Sequence, residues 1–423
     1  MKQILTTLLF ILLCICNTAV LHAQRQSWFI LPQDTDAEID TATEAHYVCL
    51  NKSIPAKNQL FLFFPGTGAL PAYYQLISNT AADMGFHVIN LRYVNYEAVN
   101  HASLCGGTNT DLDCYEKVRL EIIDGTDRTD LINVSRSNSV ENRLIKLLQY
   151  MQKNYPNDGW KQFLKADSIN WSRIVTSGHS QGGGHAAIIA KYHKIARVVM
   201  FAAMDYNART MKPANWIGSN NATPSSEYYG FSHQRDEAVN FTILSNIIWK
   251  AYGMDAYGAI VNADTATPPY NNTHSLTTNL EPAPGPPQLN KYHGCIAVDF
   301  FVPKLQDGAP VYKNVWEYLL STLPTTSIEI DDGVSPRGFR LEQNYPNPFN
   351  PTTTIRFSIP KTEYITLKVF DVLGNEISTL VNGEMTAGEH SVVFDAKDLP
   401  SGVYFFQLKT NSLTKVLKAQ VLK

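Results

Sequence analysis

Residues 173–192 read RIVTSGHSQGGGHAAIIAKY, and this stretch decides the fold. Arg173 to Ser177 is rich in apolar and β-branched residues, which favour a buried strand, and the segment from Gln181 onward has the composition of a helix. Between them lies the pattern G-x-S-x-G, centred on Ser180. A sharp turn between strand and helix lifts such a serine clear of the sheet. The stretch therefore predicts a strand–turn–helix unit with Ser180 as the candidate nucleophile.

Similar units precede and follow this stretch. The predicted strands are Leu60 to Phe64, His87 to Val94, Arg197 to Ala203 and Tyr228 to Phe231. The predicted helices are Tyr73 to Met84, Ser139 to Gln152, Gln181 to Tyr192, Ala238 to Tyr252 and Val311 to Leu323. This alternation predicts an α/β fold with a doubly wound, mostly parallel sheet covered on both faces. Two long interruptions, Asn95 to Asn138 and Asn262 to Tyr292, are expected to be irregular loops that form lids or walls of a binding site.

A serine hydroxyl is a poor nucleophile and needs a base to take its proton, and an acid orients that base. On a sheet of this kind the three residues follow the chain order Ser, acid, His. We predict Asp236, after the Tyr228 to Phe231 strand, as the acid and His293 as the base. Asp205 remains the alternative acid and His233 a weaker alternative base, whereas His274 is expected to be solvated.

The same chemistry requires backbone N–H donors for the oxyanion that develops on the substrate. One donor comes from the residue after the nucleophile, here Gln181, and the other from a loop that follows an early strand. The loop after Leu60 to Phe64 contains Gly66 and Thr67, of which we predict Thr67 as the donor and keep Gly66 as the alternative. His179, inside the motif, is expected to line the pocket.

Composition restricts the class of protein. The chain has 423 residues, of which 44% are hydrophobic and 17% charged, as expected for two or three globular domains. Its net charge of −3 gives no reason to expect a nucleic-acid partner. Residues 1–23 combine a positive start, an apolar run and a terminal Ala23, which predicts a secretory signal peptide and export. No other stretch is apolar enough to predict a transmembrane segment in the mature chain.

Four cysteines follow the predicted signal peptide, and an even number is compatible with disulfides in an exported protein. Cys105 and Cys114 flank a short polar segment and are predicted to pair. Cys49 and Cys295 either pair with each other or stay as separate thiols. The spacing fits no zinc pattern, so we expect no metal and no cofactor.

The character of the sequence changes near residue 325. Residues 327–340 have the composition of a linker, and residues 341–423 contain short β-rich runs separated by turns. The predicted strands are Thr354 to Ile359, Ile365 to Phe370, Ser391 to Phe394 and Val403 to Leu408. This pattern predicts a small all-β, immunoglobulin-like sandwich.

Two resemblances add to these inferences. Residues of about 45 to 323 resemble a poorly characterised bacterial branch of the α/β-hydrolase superfamily, through the Pro-Gly-Thr-Gly loop, the Gly-His-Ser-Gln-Gly motif and a late His. This resemblance implies a catalytic domain over residues 24–326 with esterase-like hydrolysis. The opening LEQNYPNPFNP of residues 341–351 and the late LPSGVY of residues 399–404 resemble the sorting domain of the type IX secretion system of Bacteroidota. That resemblance implies the type IX machinery as a partner and export through the periplasm and the outer membrane.

The leading hypothesis is therefore a secreted or cell-surface serine hydrolase that cleaves a small-molecule or polymeric carboxylic ester. The same residues also cleave amides, so a peptidase or amidase is the alternative enzyme. A non-catalytic binding module on the same scaffold is the alternative outside catalysis, since a fold does not fix a function.

Overall fold

The computed structural model describes residues 25–107, 109–207, 209–218, 220–286, 290–321, 340–341, 343–344, 346–359, 362–372, 374–410 and 414–423. The chain divides into two compact units, Met1–Thr325 and Thr326–Lys423. The predicted signal peptide, 1–23, and residues 327–339 of the predicted linker lie outside the described residues.

A nine-stranded sheet forms the centre of the N-terminal unit. Its strands in chain order are β1 (Arg25–Ile30), β2 (His46–Asn51), β3 (Leu60–Phe64), β4 (His87–Asn90), β5 (Ile174–His179), β6 (Arg197–Phe201), β7 (Tyr228–His233), β8 (Val261–Asn262) and β9 (Ser275–Thr278). Their order across the sheet is β1-β2-β4-β3-β5-β6-β7-β9-β8. From β4 to β8 the neighbouring strands are parallel, whereas β2 is antiparallel to both β1 and β4. The carboxyl ends of the parallel strands therefore share one edge, where ligands of such sheets bind.

Helices cover both faces of this sheet. They are α1 (Pro32–Thr35), α2 (Gln75–Asp83), α3 (Cys114–Asp124), α4 (Val140–Asn154), α5 (Gln181–Tyr192), α6 (Lys291–Gly294) and α7 (Lys313–Leu320). A further helical segment consists of three successive pieces, Phe241–Ile243, Leu244–Ile248 and Trp249–Ala251, of which the middle one is a π-helix.

The alternation of side chains along a strand divides the core of this unit into two layers. On β3, Leu60 and Leu62 pack with the buried faces of α3, α4 and α5, while Phe61 and Phe63 pack with α2 and α7 on the opposite side. Each fully buried side chain of this size contributes about 1.5–3 kcal/mol of burial free energy. The sheet is therefore fixed on both sides and holds the ends of its strands in place.

Neither long interruption is irregular throughout, which corrects the sequence-based expectation. The segment 95–138 contains α3, whose buried face includes Arg119 and Glu121. Glu121 accepts hydrogen bonds from backbone N–H groups of Arg128, Thr129 and Val134. The segment 262–292 contains β9, a buried strand of Ser275, Leu276, Thr277 and Thr278. Both elements bury polar residues that satisfy the backbone, so their hydrophobic periodicity is weak.

The cysteines behave in two ways. Cys105 and Cys114 form a disulfide at the start of α3, which confirms the predicted pair. Cys49 and Cys295 are free and buried, so they are separate thiols. Burial raises the pKa of both thiols to about 12, which keeps them protonated and unreactive at neutral pH.

The described part of the C-terminal unit is all-β. Its strands are β10 (Arg340–Leu341), β11 (Thr352–Ile359), β12 (Glu363–Phe370), β13 (Glu376–Met385), β14 (Gly388–Asp395), β15 (Gly402–Lys409) and β16 (Thr414–Val421). They form two antiparallel sheets, β10-β11-β14 and β13-β12-β15-β16, around a shared core that includes Ile355, Leu367 and Phe406. Across all described residues of the chain, no helix has the length and apolarity needed to cross a bilayer.

Candidate active site

Ser180 lies in a strained turn between β5 and α5. Its backbone has φ 54° and ψ −121°, a conformation that non-glycine residues rarely adopt. The turn is fixed because Ser180 N–H donates to Phe201 O at 2.7 Å. A Cβ at Gly178 would lie 2.3 Å from the Gly182 carbonyl carbon, and one at Gly182 would lie 2.0 Å from Phe64 O. Both glycines of the motif are thus required by the close approach of the backbone on either side of the serine.

His293 and Asp236 form a buried pair at the carboxyl end of the sheet. The Asp236 carboxylate is fully buried, and its Oδ2 and Oδ1 lie 2.8 and 3.0 Å from His293 Nδ1. The backbone N–H groups of Ala238 and Val239 both donate to Asp236 Oδ1 at 2.8 Å. The loop after β7 therefore fixes the carboxylate, and the carboxylate in turn fixes the imidazole.

Glu237, the next residue, holds the backbone that carries the histidine. Its carboxylate accepts hydrogen bonds from Tyr292 N–H at 3.1 Å and from His293 N–H at 2.9 Å. These N–H groups belong to the first turn of α6, where they have no partner within the helix. Two consecutive acidic residues thus hold the same histidine, one at its ring and the other at its main chain.

His179 connects the turn of Ser180 to His293 and to the loop after β3. Gly66 N–H donates to the Tyr74 hydroxyl at 3.1 Å, and that hydroxyl lies 3.1 Å from His179 Nδ1. His179 Nε2 lies 2.9 Å from the His293 carbonyl oxygen, to which it donates. Burial, reinforced by nearby His293, lowers the pKa of His179 to about 3. A neutral ring with its proton on Nε2 fits both contacts.

The two predicted oxyanion donors lie beside each other. Thr67 Oγ1 donates to Gln181 Oε1 at 2.9 Å, and both residues line the same cavity as Ser180. Gln181 begins α5, where the first N–H groups have no partner within the helix. Asn95 Nδ2 supports the Thr67 loop by donating to Gly66 O at 2.6 Å. Because Gly66 N–H is bound to Tyr74, Thr67 is the better candidate for the second donor.

Asp205, the alternative acid, is engaged elsewhere. Arg119 Nε and Nη2 contact its two carboxylate oxygens at 2.6 and 2.5 Å, and Trp216 Nε1 donates to it at 3.1 Å. Arg119 also donates to Gln181 O at 2.9 Å. A Cβ at Gly184 would lie 2.2 Å from Arg119 Nη2, so this glycine of α5 leaves room for the guanidinium. The ion pair therefore supports the start of α5 rather than the histidine.

The other candidate histidines make structural contacts. His233 lies 3.0 Å from Leu280 O through Nε2, and its Nδ1 accepts from Arg235 N–H. His274 is buried between the rings of Tyr229 and Tyr257, with centroids 3.9 and 4.2 Å away. The expectation that His274 is solvated is wrong, because it lies directly before β9 inside the sheet.

A cavity of about 550 Å³ brings the predicted residues together. Ser180, His293, Thr67 and Gln181 all line it. Sequence reasoning missed Tyr74, Glu237 and Arg119. Of these, only Glu237 carried a local signal, because it directly follows the predicted acid.

Comparison with known proteins identifies one unit. Residues 343–422 match the family described as the secretion system C-terminal sorting domain. No curated protein matches the chain. The match confirms the sequence-based prediction for residues 341–423 and fits the all-β structure of this unit. The C-terminal unit is therefore a type IX secretion sorting domain, which indicates that the chain is secreted or exported to the cell surface.

Proposed function

We propose that the N-terminal unit is a serine hydrolase of the α/β-hydrolase fold that cleaves carboxylic esters after export. One observation carries this proposal: Ser180, on a strained strand–helix turn, lines the same cavity as His293, whose ring is held by Asp236. The three residues follow the chain order Ser, acid, His that is typical of this fold.

The architecture supports the same assignment. A mostly parallel sheet with helices on both faces carries the serine directly after β5, the acid in the loop after β7 and the histidine on α6, beyond β9. Residues from separate strand ends meet at the carboxyl edge of the sheet, which is where active sites form in open α/β sheets.

We propose the following sequence of steps. Asp236 accepts a hydrogen bond from the Nδ1–H group of His293, which leaves the Nε2 lone pair to take the proton of Ser180 Oγ. Oγ forms a bond to the ester carbonyl carbon, and the N–H groups of Gln181 and Thr67 bind the resulting oxyanion. Collapse breaks the bond to the leaving oxygen, which receives the proton from His293 and departs as an alcohol. Water, deprotonated by His293, then attacks the acyl-enzyme, and the acid is released with Ser180 restored.

A panel of p-nitrophenyl esters with acyl chains of different length tests this proposal. We expect Ser180→Ala to lower turnover by about 10⁴-fold or more without unfolding the protein. Ser177→Ala is the matched control, since its hydroxyl is buried and donates to Val199 O in the sheet. That variant should retain its rate.

A covalent probe gives an independent measurement. A fluorophosphonate should label Ser180 in the purified protein, and peptide mass spectrometry locates the label. Turnover that survives in folded Ser180→Ala would contradict the mechanism. Hydrolysis of anilides but not of esters would indicate an amidase. A protein that neither turns over esters nor takes the label would be a binding module.

A further inference from the structure

The cavity beside Ser180 contains no unpaired charge among the described residues. Its lining includes two charged side chains besides the histidines, Arg119 and Asp205, and each is only 3% exposed. They satisfy each other through two short contacts, and Arg119 further binds Gln181 O. A carboxylate, phosphate or ammonium group of a substrate would therefore be desolvated there without a free partner of opposite charge.

One side of the cavity consists of aromatic rings. Tyr73, Phe300 and Phe301, here called the aromatic wall, line it together. The Tyr73 and Phe300 ring centroids lie 5.5 Å apart, and those of Phe300 and Phe301 lie 4.6 Å apart, both with steep interplanar angles. Tyr73 is 37% exposed and Phe300 is half-buried, while Phe301 is buried. Rings that stay accessible inside a concave site offer a surface for an apolar ligand.

The wall is fixed in place and lies next to the base. Asp299 N–H donates to Tyr73 O at 2.8 Å, and the Asp299 carboxylate accepts from the N–H groups of Gln75 and Leu76. These contacts lock the two segments of the wall together. A Cβ at Gly294, the residue after His293, would lie 2.7 Å from the Phe301 ring. A group stacked on the wall is thus close to the histidine that would act on Ser180.

Building on the proposed function, we infer that the substrate is a neutral ester that carries an aromatic ring, which stacks on the aromatic wall. An ionised substrate is disfavoured because the charged side chains that line the cavity, Arg119 and Asp205, already pair with each other. The rings favour a flat π system over a saturated one, because aromatic pairs gain an interaction beyond their buried area. The cavity of about 550 Å³ is in the range of sites that enclose a compact molecule.

Four methyl esters with the same leaving group test this inference in a pH-stat: 3-phenylpropanoate, 3-cyclohexylpropanoate, the anionic monomethyl adipate and the small butyrate. We expect kcat/KM for the phenyl ester to exceed that for the cyclohexyl ester about three- to tenfold. The kcat/KM for the phenyl ester should exceed the kcat/KM for monomethyl adipate by a larger factor. Phe300→Leu keeps an apolar side chain but removes the ring, so it should abolish the phenyl preference and lower kcat/KM for the phenyl ester by a larger factor than for butyrate. Phe300→Tyr should retain the preference.

Phe29→Ala is the control, since Phe29 is a 56% exposed aromatic on β1 that does not line the cavity. Its ratios should equal those of the unchanged protein. Equal or better hydrolysis of the cyclohexyl or anionic ester, or an equal loss on all esters in Phe300→Leu, would overturn the inference while leaving the hydrolase intact. If no ester, butyrate included, is cleaved in a Ser180-dependent manner, the proposed function fails and the inference fails with it.

Discussion

Replacing Asp236 by asparagine tests the acid of the candidate triad with little change in shape. Asp236 Oδ1 accepts two backbone N–H groups, from Ala238 and Val239, and lies 3.0 Å from His293 Nδ1, whereas Oδ2 makes the shorter contact with Nδ1, at 2.8 Å. In Asp236→Asn the backbone N–H groups of Ala238 and Val239 still need an acceptor, so the amide oxygen must occupy the Oδ1 position. The amide NH₂ then occupies the Oδ2 position and donates to Nδ1. The ring is forced to carry its proton on Nε2, where it cannot accept the proton of Ser180.

We therefore expect a loss of about 10⁴-fold in kcat/KM at neutral pH, as for the equivalent change in a serine protease. This loss corresponds to about 5 kcal/mol of transition-state stabilisation, at 1.36 kcal/mol for each factor of ten. Initial rates on the best p-nitrophenyl ester measure it, with circular dichroism as the check on folding. A folded Asp236→Asn protein that retains more than a tenth of the activity would refute this reasoning.

Asp205→Asn is the matched comparison, and its expected effect is on stability. Removal of this carboxylate leaves Arg119 buried without its bidentate partner. Loss of one member of a buried ion pair typically costs about 3–5 kcal/mol of unfolding free energy. The rate per folded molecule should fall far less than in Asp236→Asn. The reverse pattern in the two variants would show that the acid has been assigned wrongly.

Reduction of the Cys105–Cys114 bridge should lower the free energy of unfolding by about 2–3 kcal/mol, because the closed loop is short; urea unfolding with and without reductant measures this, and coincident curves would contradict it. Deletion of residues 341–423 should stop export but spare hydrolysis, and secretion assays with rates on the purified fragment check both; a folded but inactive fragment would disagree. Burial lowers the pKa of His179 from 6.5 to about 3, so the unfolded state binds more protons below pH 6.5. The contribution of neutral, buried His179 to the unfolding free energy is fully present above pH 6.5 and should be lost as the pH falls towards 3. Between pH 7 and pH 4, the melting temperature should decline less steeply in His179→Gln than in the unchanged protein. Equal slopes would exclude His179 as a source of the pH dependence.

Sequence reasoning predicted the parts of the candidate site that depend on local sterics and chain order. Gly178 and Gly182 are required because a Cβ at either position would lie only 2.0–2.3 Å from backbone atoms, of the same turn at Gly178 and of Phe64 at the end of β3 at Gly182. Asp236 and His293 follow strands of the sheet, so their approximate places follow from the alternation of elements. The choice between Asp205 and Asp236 could not be made from the sequence, because Asp205 is paired with Arg119, a partner 86 residues away that no local pattern reveals.

The elements that sequence reasoning did not predict are those that bury polar side chains. Helix α3 presents Arg119 and Glu121 to the interior, where one binds Asp205 and the other accepts backbone N–H groups. In β9, Thr277 Oγ1 donates to Ser232 O across the sheet. Such residues read as solvent-exposed in a hydrophobic pattern, although hydrogen bonds make their burial tolerable. The polar contacts of the tertiary structure, and not the propensity of the segments, decide these elements.

The hydrogen bonds from Gly66 through Tyr74 and His179 to the His293 carbonyl span more than two hundred residues of sequence. They join the loop of the candidate oxyanion donor, the strand that precedes Ser180 and the helical turn of His293 through one series of hydrogen bonds. A displacement of any one segment is resisted by the other two. Atoms that must stay within about half an ångström of a productive arrangement are therefore aligned during folding, before any ligand arrives. In the proposed hydrolase, binding energy would then serve the reaction itself rather than the assembly of the site.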